Sequence, residues 1–252
     1  AHIADGTLQG LPNVDVIQRL QGDIRVSPQT IHVDVLSGRA LETDWRLSGD
    51  IALTESFSAE LLLTGTVDAQ AAGARLWPAL SAWNPSGTVE LAAVCRGPLA
   101  RWPQVDLLAR AHVREAAATL PWGAQRLERI EATLEYDHLA QTVTIASFAG
   151  RLQDAAITAR GSVHPLAPPA LHLTARASGD LAMLAALAPA QPSIEALQGP
   201  VAVELSVEGP LSALNWDGAA TVEHARLALR GWPAALEGLR GTLHVNPERV
   251  SM

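Results

Sequence analysis

The sequence predicts an all-β, mainly antiparallel protein: an elongated, repetitive β-sheet groove with a few short helices. Two observations carry that expectation. Apolar and polar residues alternate with period two through most of the chain, and the alternating runs recur at an interval near 110 residues. A third sets the strand length: turns marked by Gly or Pro arrive roughly every 10–14 residues, the spacing of short strands joined by brief connections.

Taken in order, Ile24 and Val26 oppose Asp23 and Arg25, and Ile31, Val33 and Val35 oppose His32 and Asp34. Trp45 and Leu47 oppose Asp44, Arg46 and Ser48. Val89 and Leu91, then Val143 and Ile145, hold the apolar phase of the next runs. Val201, Val203, Leu205 and Val207 share one phase; Ala202, Glu204, Ser206 and Glu208 share the other. Leu243 and Val245 oppose Thr242, His244 and Asn246. Such runs give each strand one apolar and one wet face. Short helices are expected near VDVIQRL (14–20), ARLWPAL (74–80) and DLAMLAAL (180–187). Asp180 would cap the last, and Pro189 would stop it.

The repeat rests on gapless blocks. LQGDIRVSPQTIHV (20–33) returns as LRGTLHVNPERVSM from Leu239, and both Gly22 to Gly241 and Pro28 to Pro247 are 219 residues apart. TIHVDVLSG (30–38) matches TVTIASFAG (142–150), Gly49 matches Gly161, and GTVELAAVCRGPL (87–99) matches GPVAVELSVEGPL (199–211), each at 112. The chain divides into approximate units 1–21 (partial), 22–131, 132–240 and 241–252 (partial). A period this long exceeds a solenoid coil, so each unit must hold several strands.

Composition narrows the function. Hydrophobic residues make up 48% and charged residues 17%, enough to bury a large apolar area. The net charge of −8 argues against nucleic acid and against steady docking on an anionic bilayer. All 18 basic residues are Arg, with no cluster apparent along the sequence. Cys95 stands alone, so no disulfide forms within the chain. No signal peptide opens it, and the longest apolar run, LAMLAALAPA (181–190), is broken by Pro189, well short of a spanning helix. The segment is expected to be soluble and to be a section of a longer protein.

No catalytic constellation is legible, and no cofactor is implied. The histidines never fall at metal-ligand spacing, and His32, His172 and His244 occupy polar phases. Cys95 aligns with Val207 on an apolar phase and reads as a small buried hydrophobe. The EYD cluster (135–137) reads as a strand-end turn. Trp recurs beside Pro or Gly at LWP (76–78), RWP (101–103), PWG (121–123) and GWP (231–233), which favours packing at corners over sugar stacking. The chain is not expected to be an enzyme.

Two readings of the apolar phase stay open: a sheet self-packed into a structural or adhesive rod, or a trough whose lining receives a ligand. Openings of the form L-x-G-x-φ-x-V (Leu20, Gly22, Ile24, Val26; Leu239, Gly241, Leu243, Val245) bear on the choice. So do the G-P-L turns followed by an aromatic (Gly97, Pro98, Leu99 with Trp102; Gly209, Pro210, Leu211 with Trp216). In these features the chain resembles the AsmA-like superfamily of bacterial envelope proteins (AsmA, TamB and YhdP types). The resemblance implies a β-taco-like groove in the periplasm, part of a protein anchored in the inner membrane through a segment outside this chain. It implies phospholipid acyl chains as the ligand, passage between inner and outer membranes, and an outer-membrane barrel of the TamA type as a possible partner. On that reading Ile24, Val26, Ile31, Val33, Val35, Trp45, Leu47, Val89, Leu91, Val143, Ile145, Val201, Val203, Leu205, Val207, Leu243 and Val245 line the groove.

Overall fold

The computed structural model describes residues 1–11, 14–40, 43–55, 57–71, 82–120, 125–166, 168–182, 194–210, 213–232, 234–246 and 250–251. Alternation with frequent turns becomes a single meander. Its strands are β1 (His2–Leu11), β2 (Val14–Val26), β3 (Thr30–Ala40), β4 (Thr43–Ala52), β5 (Ser58–Asp68), β6 (Ser86–Pro98), β7 (Asp106–Thr119) and β8 (Arg126–Asp137). They continue as β9 (Thr142–Leu152), β10 (Ala155–Leu166), β11 (Pro169–Asp180), β12 (Ile194–Gln198), β13 (Pro200–Pro210), β14 (Asn215–Leu229), β15 (Leu236–Val245) and β16 (Val250–Ser251). All join one antiparallel sheet, each hydrogen-bonded to the next, except that β12 pairs with the far end of β14 beside β13. The sheet does not close. At about 4.8 Å per strand, its path from β1 to β16 covers roughly 65–70 Å.

The helix expected over 14–20 is a strand instead. Leu8 pairs with Ile17 on one side and Gln18 with Arg39 on the other, so two ladders are available to a short apolar run that local pattern cannot assign. Of the helix expected over 180–187, residues 183–187 lie outside the described residues; Leu181 and Ala182 are helical, and the Ala182 N–H donates to Asp180 Oδ1 at 2.8 Å. Asp68, 112 residues earlier, receives the N–H groups of Gln70 and Ala71 in the same way. The segment 74–80, and Pro189, lie outside the described residues.

The backbone repeats what the sequence blocks repeat. Residues with positive φ sit at register shifts in pairs on neighbouring strands: Asp5 and Arg19 on β1 and β2, Glu115 and Arg129 on β7 and β8, His224 and Gly238 on β14 and β15. Successive pairs are 110 and then 109 residues apart. Each is a bulge that adds twist at the same end of the strands. Between one pair and the next lie six strands of the meander, so β2–β7 form one unit and β8–β11, β13 and β14 the next.

All these bulges lie near the strand ends that carry the two longest connections, residues 69–85 and 181–199. Two core clusters gather there too, while Val33, Ala59 and Val105 are buried toward the opposite ends of their strands. One cluster comprises Ala116, Ala118, Leu120, Leu127, Ile130 and Leu152, with Trp83, Val113, Phe148 and Ile157 against it. The other comprises Leu181, Val201 and Ala225, with Val203, Val222 and Leu239 among its neighbours. We call this end the first margin of the sheet. Its opposite, the second margin, carries the connection with the 3-10 turn Leu99–Gln104.

Candidate functional site: an apolar sheet face

Residues directly opposite on antiparallel strands project from the same face. The register therefore sorts every strand. One file runs Gly38, Trp45, Gly65, Leu91, Ala111, Leu134, Ile145, Gly161, Leu173, Val207, Trp216, crossing eleven strands from β3 to β14 without a polar member. Beside it runs a second: Ile3, Gly22, Leu36, Leu47, Leu63, Ala93, Ala109, Tyr136, Val143, Val163, Leu171, Gly209, from β1 to β13. A third carries Val67, Val89, Val113, Ala132, Phe148, Ala159, Ala175, Leu205 and Gly218. Val203 aligns with Ala220 and Leu243, and Val201 with Val222. Near the second margin, Ile24 pairs with Val33 and Val26 with Ile31.

Fifteen of the seventeen groove residues named from the sequence thus share one face by register; the Val245 side chain lies outside what is described. Val35 departs. The register shifts between Val33 and Leu36 on β3, so Leu36 takes the apolar place opposite Leu47, while Val35 pairs with Asp23 and is 52% exposed. One inserted residue flips the alternation downstream. Sequence reading passes over Leu36, Leu61, Leu63, Leu134, Phe148, Leu171 and Leu173, which lie on the same face. Alternation in LHLTARA (171–177) is a signal for the last two; Leu61 and Leu63 hide in a run of three leucines.

The face is unevenly covered. Val201 and Val33 are each 5% exposed, while Leu63 is 42% and Val26 68% exposed. Large side chains fill places left by glycines: a Cβ on Gly38 would come within 2.8 Å of Trp45 Cζ2, so the indole lies across that glycine. Cys95 sits on this face opposite Leu61 and Leu107, and burial pushes its thiol up from the ordinary value. That is the wrong direction for a nucleophile.

The opposite face is polar and laced across strands. Arg96 pairs with Glu60 at 3.0 Å, Arg110 with Glu135 at 2.5 Å, Arg114 with Glu90 at 3.2 Å and Arg176 with Glu204 at 3.0 Å. Asp137 of EYD accepts from the Ala140 N–H at 2.8 Å, a strand-end turn. His32 and His172 stand on this face beside Asp50 and Glu208. Two of the Trp corners are not buried as packing would require: Trp102, 5.5 Å from the His138 ring, is 49% exposed and Trp232 is 61% exposed. Trp77 and Trp122 lie outside the described residues.

Among the described residues no helix is long and apolar enough to cross a membrane, and no three His, Cys, Asp or Glu side chains gather to hold a metal ion. Compared with known proteins, the chain matches no family model, no curated protein and no solved structure.

Proposed function

We propose that the chain is a section of a periplasmic conduit that carries phospholipids between the inner and outer membranes, within an envelope protein of the AsmA-like kind. The single observation behind this reading is the file from Gly38 to Trp216: eleven strands contribute to it and none interrupts it with a polar side chain. Each CH₂ withdrawn from water contributes about 0.8 kcal/mol, so an acyl chain of ~16 carbons gains roughly 13 kcal/mol. A face that looks the same from strand to strand lets the chain move along it without giving that energy back. Half-exposed leucines in the middle of the face support a lining over a sealed core. The reading assigns the protein no reaction. It gives it lipid as ligand and leaves an outer-membrane barrel of the TamA type as its natural receiver.

Photo-crosslinking tests it. A photoreactive residue at Leu91 or Leu63 should capture phospholipid when the protein is expressed in a Gram-negative host, and one at Glu204 or Arg96 should capture none. Equal labelling of the two faces, or none at Leu91, would refute the lipid reading and favour the self-packed rod.

A further inference from the structure

A different feature lies on the opposite, polar face. Arg19 on β2, Arg39 on β3 and Arg46 on β4 line one cavity of about 710 Å³ near the first margin. Register explains their convergence: Gln18 pairs with Arg39, and Arg39 and Ser37 on β3 face Asp44 and Arg46 on β4. Arg19 is brought in by the bulge it occupies, with φ of 53°.

What sets the three apart is that guanidiniums without an ion pair converge on one cavity. Six arginines among the described residues, Arg25, Arg96, Arg110, Arg114, Arg176 and Arg226, reach a carboxylate on a neighbouring strand. Arg19, Arg39 and Arg46 make no ion pair and no side-chain hydrogen bond among the described residues. Two carboxylates share the cavity, and Glu90 is already held by Arg114. Asp44 alone is left to face three guanidiniums, in a chain whose net charge is −8. Like charges on adjacent strands repel unless something answers them. The next unit lacks the set: Arg129 and Arg151 recur, but Thr158 replaces Arg46.

We propose that this cavity binds a phosphate oxyanion. Guanidinium forks present paired N–H donors that match phosphate oxygens, and the Ser37 and Thr64 hydroxyls on the same wall add donors. The chemistry is shared by a lipid-borne phosphate and by a free phosphorylated solute. Gly38, Trp45, Gly65 and Leu91 of the first apolar file also line the cavity, but Arg39 and Arg46 lie off that file by register, so the Arg39→Gln/Arg46→Gln variant leaves the file intact and failure of this site is a separate result from failure of the lipid conduit.

Calorimetric titration of the 252-residue chain with inorganic phosphate at low ionic strength provides the test. Saturable binding is expected, weakened about tenfold or more in the Arg39→Gln/Arg46→Gln double variant. It should be unchanged in Arg129→Gln/Arg151→Gln and strengthened in Asp44→Asn. A second arm measures co-sedimentation with vesicles of phosphatidylcholine containing phosphatidic acid, against phosphatidylcholine alone. Vesicle binding that depends on Arg39 and Arg46 supports the site with a lipid head as its source, and binding of phosphate alone supports it with a solute. Absence of saturable binding in both arms, or equal affinity in wild type and the Arg39→Gln/Arg46→Gln variant, overturns it.

Discussion

The two margins of the apolar face are buried in different ways, by contiguous clusters at the first and by separate residues at the second. At the first margin the bulge pairs twist the strands, the long connections open with Asp-capped turns, and Leu152, Val201 and Ala225 fall to 4%, 5% and 2% exposed. Toward the second margin burial is patchy: Val105, Ala59 and Val33 are 0%, 5% and 5% exposed, while Val26 and Trp216 stand on the same face at 68% and 37%. The residue types along the two stretches barely differ. The long connections recur once per unit: Asp68 and Asp180, which open them, are 112 residues apart. The larger buried clusters therefore line one edge of the face, and Leu63 and Leu91 between the margins stay partly exposed.

The largest effect should come from placing one charge at each margin's kind of site. Val201→Glu buries a carboxylate among Leu181 and Ala225, which costs several kcal/mol against a total of about 5–15, so the variant should fail to fold. Leu91→Glu, at the same phase in the other unit, places its carboxylate where water reaches it. It should keep its circular dichroism and lose lipid labelling at Leu63. Were both variants to unfold, the whole face would behave as a core and the contrast between margins would be wrong.

A second contrast concerns one motif in two settings. Gly49 has φ of +131°, and a Cβ there would lie 2.1 Å from the Glu60 carbonyl oxygen. Its repeat mate Gly161 meets the His172 carbonyl oxygen at the same 2.1 Å. Gly241, midway along β15, has nothing within 4 Å. Gly49→Ala should lower the urea midpoint by an amount equivalent to about 1–3 kcal/mol from backbone strain alone. Gly241→Ala should change it by less than about 0.5 kcal/mol. Equal effects would mean that the close approach of β4 and β5 carries no specific energy.

Much of this architecture is legible in the residues because a period of two with frequent Gly and Pro leaves few alternatives to a meander. β13 and β11 announce their faces by alternation, and the 112-residue blocks name equivalent strands. The errors fall where backbone geometry breaks the count. Strict alternation puts Val35 on the apolar face, but β3 carries a register shift that hands the position to Leu36. At 113–118 the bulge at Glu115 transfers the apolar phase from Val113 to Ala116 and Ala118, and a run of alanines gives no contrast from which to read the step. Leu62 and Leu108 are hydrophobic yet pair on the polar face, with Val94 between them. The three arginines of the cavity are invisible in sequence for a related reason. They are 20 and 7 residues apart and meet only because β2, β3 and β4 are in register.

The smallest effect belongs to the polar face near the second margin, where four charged groups on three strands form one chain. Arg25 bonds Asp34, with Nε 3.0 Å from Oδ2; His32 Nε2 lies 3.1 Å from Asp34 Oδ1, and His32 Nδ1 lies 2.6 Å from Asp50 Oδ1. The Asp50 hydrogen bond raises His32 above its ordinary 6.5, and Arg25 holds Asp34 below its ordinary 3.8. A raised His contributes stability that is fully present below 6.5 and is lost as pH climbs through the folded value. A lowered Asp contributes above 3.8 and loses its contribution as pH falls through its folded value. The chain of contacts is thus complete between about pH 4 and 6.5. These side chains are solvent-exposed, so the gain is small and screened by salt. The imidazole protons of His32 should titrate with a midpoint above 6.5 that drops in Asp50→Asn, and the urea midpoint of His32→Gln should fall further below wild type at pH 5.5 than at pH 8.5. A His32 midpoint at or below 6.5 would show that the contact with Asp50 does not persist in solution, and that this face is held by its backbone ladders alone.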